Sequence, residues 1–499
     1  MHNLLPFIHR ANQALSLCVF ALTLLLLCAC DKSTPSTPPP PNDNALLENQ
    51  APLIALLANS ATPEESRQAA DAKLVQLVGP ADPTRLAVLE QIVWGPGHTA
   101  TMRIYALNQI AAADPTRAGR VLMHHLPRMD DWPVLERACA LSVELGDLRL
   151  VDPLVRSLDR PAKKHPRPER PEVAVIEKLT NQKIAPALRQ RLFESRDQSV
   201  RIAALDLLSE LAGPDTVKKL LREKDWINLE AQSPGGNGTL LADLRWWLDR
   251  FDTIPVGGQE VEWVKELRKS QQTNILTQAT QRHQKLHPQK DYLIAPRFVW
   301  LLGQVDQPTV EMTRPQLLAA ITRQLSHQTH LQRASDHGEH GLQRDESFTA
   351  NAPHLTRCDL LAILILLRGL DTPTFSNQVL EQGLTDMTDT ESEHGGVIKL
   401  TTSGLSLVEF PPLYKSNDQQ YLVSDKLLRE LVYGIAEYHF HFQKVHNQDH
   451  AGPGQGDLDF AQKTRCNAVV FTSTGPGKFN VDYYTPNGVI VDLGVWPSR

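Results

Sequence analysis

Aromatic and histidine side chains alternate along Tyr438-His439-Phe440-His441-Phe442. This period of two predicts a β-strand whose two faces differ in chemistry. His439 and His441 share one face, and the three aromatic residues share the other. Two imidazoles on one face can bind one metal ion, with a carboxylate from a nearby loop as third ligand. Three protein ligands leave one position of a tetrahedral zinc ion open, as in catalytic sites. A strand that binds no metal is the alternative.

A second pattern, of amphipathic helices in pairs, fills the N-terminal half of the chain. Runs of apolar or helix-forming residues each begin with a small residue, at Ala72, Ala106, Ala140 and Ala204, with a degenerate copy at Ala174. The first three of these alanines are 34 residues apart. Turn residues and a second helix, such as 215–222, follow most copies. A helix, a turn and a second helix of this length form one layer of an α-solenoid, in which the small residue lets paired helices approach closely.

This repeat resembles HEAT-type repeats over residues 46–225, and we assign residues 51–225 to the repeat region. The Trp, Gly, Tyr and Phe positions of TPR repeats, which have a similar period, are missing. A non-repetitive helical bundle is the alternative. Solenoids usually present a concave surface to a partner, so we expect an unidentified protein or peptide to bind this region.

The C-terminal part changes pattern near residue 353. Residues 226–352 predict helices separated by loops. A histidine-rich stretch over 326–354 has no periodicity and indicates a solvated loop (His327, His330, His337, His340, His354). Residues 353–499 contain short helices and strands, and Asn487-Gly488 is a strong hairpin signal. The predicted fold class is therefore multidomain: an N-terminal α-solenoid, then a compact α/β domain over 353–499.

Composition excludes some classes of function. Charged residues make up 22% of the 499-residue chain, hydrophobic residues 41%, and the net charge is −6. These values are ordinary for a globular protein and give no electrostatic basis for binding nucleic acid. Cys139, Cys358 and Cys466 are scattered singly, which indicates buried free thiols rather than a disulfide framework.

The N-terminus has the pattern of a targeting segment. Residues 19–27 are almost wholly apolar, and the run ends in Leu27-Cys28-Ala29-Cys30. This resembles the lipobox of bacterial lipoproteins, which implies a signal peptide over 1–29 and lipidation of Cys30. Residues 30–50 are polar and Pro-rich and predict a tether. The resemblance implies a lipid-anchored protein of the cell envelope that contacts the membrane through Cys30. Asp31 implies the periplasmic side of the inner membrane in a Gram-negative cell. An uncleaved anchor is the alternative.

Four motifs of the C-terminal domain follow one another in a characteristic order. These are Glu393 before Gly395-Gly396-Val397-Ile398, the His-x-His pair, Asp457 near the start of a helix, and a closing hairpin over 479–493. The order resembles the JAMM (MPN+) metalloprotease family. The resemblance implies zinc bound by His439, His441 and Asp457, with Glu393 as the catalytic residue. It also implies hydrolysis of an amide or isopeptide bond.

The sequence departs from the family pattern at several positions. Gly454 stands where the family has a serine whose hydroxyl helps to hold the oxyanion. Phe442 replaces a proline, and the loop between His441 and Asp457 is longer than usual. Other residues remain open as alternatives: Glu391 for Glu393, Asp459 for Asp457, and Glu437, His446 or His450 near the pair. We therefore keep two functions, a zinc hydrolase and a non-catalytic lipoprotein scaffold for protein–protein interaction with an inactive JAMM-like domain.

Overall fold

The computed structural model describes residues 43–95, 97–161, 165–223, 238–287, 292, 294–331, 345–415 and 421–497. The predicted signal peptide, Cys30 and the tether up to residue 42 lie outside the described residues, as do His337 and His340 of the histidine-rich stretch. The chain forms two compact units, Met1–Met102 and Arg103–Arg499. Within the described residues, no helix is long and apolar enough to cross a membrane.

The first unit is helical where it is described. Its helices are α1 (Asp43–Ala58), α2 (Glu64–Val78), α3 (Pro83–Trp94) and the beginning of α4 (Ala100–Ala113). Helix α1 thus starts inside the segment that the sequence predicts as a tether. Arg85 and Asp71 form a buried two-pronged ion pair, with Nε–Oδ1 at 2.6 Å and Nη2–Oδ2 at 2.7 Å. This pair joins α3 to α2, because each buried charge is compensated by the opposite charge of its partner.

The second unit begins with further helices in short succession. They are α5 (Pro115–His125), α6 (Trp132–Leu145), α7 (Val151–Asp159), α8 (Pro171–Thr180), α9 (Ile184–Glu194), α10 (Gln198–Leu211), α11 (Pro214–Arg222), α12 (Gly238–Phe251), α13 (Gly257–Lys269), α14 (Thr273–Leu286), α15 (Val299–Gln304), α16 (Gln307–Glu311) and α17 (Arg314–Leu325). Proline stands in the first turn of several, where its missing N–H costs nothing. Asp114 and Asp131 cap the helices that follow them.

The alanines that define the repeat do not all face the core. Ala106 and Ala204 are buried, whereas Ala72, Ala140 and Ala174 are exposed. Near Ala72 and Ala140 the buried small residues are instead Ala70 and Ala138. Two residues correspond to about 200° around a helix, so a shift of two reverses the face. The helix–turn–helix periodicity is present, but the close-packing role of Ala72, Ala140 and Ala174 was wrong.

Buried arginines lie near the starts of several helices. The side chain of Arg201 donates through Nε to the carbonyl of Leu192, at 2.8 Å, near the end of the preceding helix. Arg170 donates to carbonyls at the end of α7, including Ser157 O at 2.9 Å. In the first unit, Arg67 donates to Leu57 O at 2.8 Å. The last carbonyls of a helix lack partners within the helix, so each guanidinium satisfies groups that would otherwise be buried unpaired.

A six-stranded mixed sheet forms the C-terminal part. Its strands are β1 (Gly395–Thr401), β2 (Gly404–Glu409), β3 (Ala436–His441), β4 (Ala468–Gly475), β5 (Lys478–Tyr484) and β6 (Ile490–Pro497). They lie in the order β2-β1-β3-β4-β5-β6, and only β3 and β4 are parallel. Parallel neighbours need a crossover connection, and α22 (Gln455–Thr464) lies in that connection. The helical part and the α/β part of the predicted fold class are thereby confirmed.

Helices cover the aromatic face of the sheet. The chain between α17 and β1 forms α18 (Phe348–Asn351), α19 (Arg357–Leu370) and α20 (Pro373–Thr388), and α20 contacts β2, β3 and β4. Tyr438, Phe440 and Phe442 are fully buried. A Cβ at Gly383 of α20 would lie 2.4 Å from Phe442 Cε1, so glycine allows this close approach. The packing fixes which face of β3 carries the histidines.

The segment before β3 differs from its predicted form. The sequence pattern predicts one helix from Ser424 to Ala436. The structure has α21 (Asp425–Glu430), a 3₁₀ turn at Leu431–Tyr433 and then β3. Gly434 separates them with extended backbone, and a Cβ there would lie 2.3 Å from Val397 Cγ1. The chain therefore leaves the helix early, because β3 must pair with β1.

Candidate metal centre

Two elements bring three metal-ligating side chains together. His439 and His441 lie on the same face of β3, and Asp457 is the third residue of α22. One ligand atom from each of these residues lies within 4.8 Å of the other two. Among the described residues, no other group of three His, Cys, Asp or Glu side chains meets this criterion. The three ligands expected from the sequence therefore converge.

The helix start orients Asp457. Its Oδ2 accepts a hydrogen bond from the backbone N–H of Gly454 at 2.7 Å, an interaction that caps α22. The same oxygen lies 3.6 Å from Nε2 of His439. Asp459, the alternative ligand, points elsewhere: its Oδ1 accepts from Gln455 Nε2 at 2.7 Å on an exposed surface. The structure thus brings Asp457, and not Asp459, to the histidines.

A backbone carbonyl sets the orientation of His441. Its Nδ1 lies 2.7 Å from the carbonyl oxygen of His450, which can only accept, so Nδ1 carries the proton. The lone pair is therefore on Nε2, the nitrogen that faces the cluster. His450 contributes this carbonyl from the loop after β3, whereas His446 Nδ1 lies 3.3 Å from the carbonyl of Thr474.

His439 is the most enclosed of the three ligands. Its residue is 3% exposed, and Nε2 has no hydrogen-bond partner within the described part of the chain. Its other nitrogen, Nδ1, lies 3.6 Å from Oε1 of Glu437. Because Nδ1 and Nε2 are on opposite sides of the ring, Glu437 lies behind His439 and Asp457 lies in front of it. Glu437 is therefore not a fourth member of the cluster.

Glu393 reaches the cluster from the segment before β1. Its Oε1 is 3.7 Å from Nε2 of His441, and Gln443 donates to the same oxygen through Nε2 at 3.5 Å. The backbone N–H of Phe440 bonds the carbonyl of His394 at 3.2 Å, which ties the segment to β3. Glu391, the alternative, is exposed, and its carboxylate lies 3.4 Å from Lys415 Nζ. The structure therefore favours Glu393.

Electrostatics distinguish the two histidines. Burial, reinforced by His439, lowers the pKa of His441 to about 4, so its imidazole is neutral at pH 7 and free to bind a cation. Burial also lowers the pKa of His439, but Asp457 and Glu437 outweigh it and raise that pKa well above its usual value. For Asp457, burial raises the pKa, and His439 outweighs burial and holds the pKa well below the usual range. The centre therefore attracts positive charge.

These residues fit a divalent cation. Two ligands of a tetrahedral zinc ion, each at about 2.0–2.1 Å, are about 3.4 Å apart. The 3.6 Å between His439 Nε2 and Asp457 Oδ2 is close to this separation and is longer than a hydrogen bond. The unpartnered Nε2 of His439 is buried and would gain a ligand bond.

Sequence reasoning missed the residues that support the ligands. Gln443 and the carbonyl of His450 depend on how the loop after β3 folds back, and no periodic pattern signals that path. The side chain of Asn447 is an example: it donates to the carbonyl of His441 at 3.1 Å and to Gln443 Oε1 at 2.7 Å. Asn447 could have been noticed only as a polar residue in a loop between two ligands.

Comparison with known proteins gave no relative: no family model, no curated protein and no solved structure matches this chain. The function must therefore be argued from the centre itself.

Proposed function

We propose that this protein is a membrane-anchored, zinc-dependent hydrolase of amide or isopeptide bonds, of the JAMM type, with a helical-repeat region that binds its partner. The observation that carries the proposal is the convergence of His439, His441 and Asp457, with Glu393 beside them. Two imidazoles and one carboxylate form a ligand set that suits zinc and leaves one position open. In this arrangement residues 353–499 form the zinc domain.

The side chains divide the chemistry between binding and proton transfer. His439, His441 and Asp457 would hold the ion, which supplies a Lewis acid that activates water and polarises the scissile carbonyl. Glu393 takes the proton of the attacking water and gives it to the leaving amine. Its carboxylate is buried beside His441, and the amide of Gln443 orients it.

The remaining proposals concern location and partner. A lipidated Cys30, after removal of residues 1–29, would anchor the protein to the membrane, and residues 30–50 would lead from the anchor into the folded part. We place it in the cell envelope, on the periplasmic side of the inner membrane in a Gram-negative cell. The repeated helix–turn–helix order along 51–225 supports a HEAT-like solenoid that binds a protein or peptide, and the net charge of −6 argues against nucleic acid.

One observation favours a second function. Gly454 offers only its backbone to Asp457, so the serine hydroxyl of the JAMM pattern has no counterpart at that position. Loss of one oxyanion donor costs about 10²–10³ in turnover. A non-catalytic scaffold with an inactive JAMM-like domain is therefore the alternative.

Turnover by a Glu393→Gln variant distinguishes the two functions. We expect the zinc-loaded wild-type chain to cleave members of a panel of fluorogenic peptides and lysine isopeptides. Glu393→Gln keeps the shape but cannot take a proton, so turnover should fall by about 10²–10⁴-fold while zinc content is unchanged. Glu391→Gln, two residues away and exposed, is the matched control and should retain activity.

Two results would oppose this scheme. Unchanged turnover in Glu393→Gln would remove Glu393 from the reaction. No cleavage by a zinc-loaded wild-type chain would favour the scaffold.

A further inference from the structure

Glu437 is a buried carboxyl group with few polar partners. The residue is 1% exposed, and its Oε2 has no hydrogen-bond partner among the described residues. In the same part of the chain, its single ion-pair neighbour is His439, with Oε1 at 3.6 Å from Nδ1. A buried carboxyl oxygen without a hydrogen-bond partner costs free energy, so its retention beside a candidate ligand calls for an explanation.

The other groups around Glu437 supply no positive charge. Its titratable neighbours besides His439 and Asp457 are aromatic hydroxyls and a thiol, namely Tyr421, Tyr438, Tyr484 and Cys466. Burial raises the pKa of each, and Glu437 raises it further, so all four stay neutral at pH 7. Asp457 adds a second negative charge on the far side of His439. Two carboxylates thus flank one imidazole.

The two histidines of the centre differ in the group behind them. His441 donates its Nδ1–H to a neutral acceptor, the carbonyl of His450. The acceptor behind Nδ1 of His439 is the Glu437 carboxylate. An acceptor behind a ligating imidazole fixes its tautomer and ring orientation and raises its basicity, and a charged acceptor does so more strongly.

The positions of Glu437 and His439 along β3 explain how their side chains are held. Glu437 and His439 are two residues apart, so their side chains share one face of the strand. Neighbouring strands hold both residues in register, since Glu437 pairs with Val397 and Ala468, and His439 pairs with Gly395 and Val470. The carboxylate is therefore fixed by the sheet rather than by a flexible loop.

We infer that Glu437 is a positioning residue of the metal centre: its carboxylate, 3.6 Å behind Nδ1 of His439, favours the tautomer that keeps the proton on Nδ1 and leaves Nε2 free for the ion. The inference rests on the proposed zinc site and adds a residue that is not itself a ligand.

Zinc affinity of the full-length chain tests the inference, measured by competition with a chromogenic chelator for wild type, Glu437→Gln and Glu437→Met. We expect both variants to bind zinc at least 10-fold more weakly, in the range of about 10–100-fold for loss of a group behind a ligand. Asp459→Asn, an exposed acid close to Asp457, is the matched control and should bind like wild type. The absorption spectrum of the Co²⁺-loaded Glu437→Gln protein should match that of wild type, because the ligands are the same.

A second readout separates positioning from a structural role. Removal of a buried carboxyl group whose Oε2 has no hydrogen-bond partner among the described residues should leave the metal-free Glu437→Met protein at least as resistant to heat as the metal-free wild type. Stability would then rise while zinc affinity falls, which a purely structural residue would not produce. This comparison does not require Glu437→Gln to fold well, because it uses Glu437→Met.

Three outcomes would overturn the inference. Wild-type zinc affinity in folded Glu437→Gln or Glu437→Met would overturn it and leave the proposed function intact. A changed Co²⁺ spectrum in Glu437→Gln would make Glu437 a ligand. A folded wild-type chain that binds no zinc would remove the proposed function together with the inference.

Discussion

Burial alters the acid–base behaviour of single side chains well away from the metal centre. Asp206 of α10 accepts a hydrogen bond from the backbone N–H of Gly257 at 2.8 Å. Burial, reinforced by the nearby carboxylates Asp159 and Glu260, raises the pKa of Asp206 to about 8, although Arg167 and the hydrogen bond from Gly257 oppose the shift. In an unfolded chain the pKa is about 3.9. Between these values the native state binds a proton that the unfolded state has released.

We therefore expect Asp206 to reduce stability as the pH rises. Where the native state binds more protons, the free energy of unfolding falls with increasing pH, here from about pH 4 to about pH 8. Asp206→Asn keeps an acceptor for Gly257 but does not titrate. The melting temperature of the variant should thus decrease less than that of wild type between about pH 5 and about pH 8.

The control for this series is Asp215→Asn, an exposed acid at the start of α11, which should follow wild type at every pH. An Asp206→Asn melting curve with the wild-type pH dependence would show that Asp206 is ionised in the native state.

At the residue scale, the candidate ligands were predictable from the sequence, but the residues that orient them were not. Alternation along a strand places His439 and His441 on one face, wherever the strand lies in the fold. The start of a helix is a common place for a carboxylate such as Asp457. The choice between Glu391 and Glu393 depends on which one β1 carries towards β3. That pairing is a long-range contact, which no local pattern determines.

The helices of the repeat region depend on side chains that join one helix to the end of another. Arg201 of α10 is 2% exposed, and its guanidinium bonds the carbonyl of Leu192 near the end of α9. Removal of the side chain leaves a buried acceptor unpaired and opens space. These helices are thus stabilised by polar contacts as well as by their buried apolar side chains.

Arg201→Ala should lower the free energy of unfolding of the full-length chain by about 2 kcal/mol, the usual range for a buried hydrogen bond from a charged donor. Arg196→Ala, five residues earlier and exposed, should change it by less than about 0.5 kcal/mol. Urea denaturation followed by far-UV circular dichroism measures both. Equal stability of the two variants would show that the guanidinium contributes nothing at this helix junction.

At the scale of elements, periodicity located the helices and strands but not their faces or limits. The predicted strand over 438–442 corresponds to β3, and the helix predicted to start near Asp457 corresponds to α22. The predicted helix 424–436 was too long, because the helix ends at Glu430, a 3₁₀ turn follows, and only Ala436 belongs to β3. The alanines predicted to face a neighbouring helix, Ala72 and Ala140, were two residues away from the buried ones, because a pattern of residue types does not say which side of a helix meets a neighbour.

For the whole molecule, assembly of the site depends on the order of its residues along the chain more than on the number of residues between them. Glu393 precedes β1, the histidines lie on β3, and Asp457 begins the crossover to β4. The candidate ligands therefore come together only when the sheet has formed, so we expect metal binding there to be coupled to the folding of this part. The helices of residues 51–225 could be predicted from periodicity, whereas their arrangement depends on contacts that the sequence does not specify.

The metal content of the full-length chain, purified without added metal, tests the central claim most directly. Elemental analysis should find about one zinc ion per chain in the wild type and in Asp459→Asn, and almost none in His439→Ala or Asp457→Ala. Circular dichroism confirms that each variant is folded. Zinc lost only in the two ligand variants would support the site and the search for its substrate. A folded wild-type chain with no zinc would contradict the account and leave a protein that acts through binding alone.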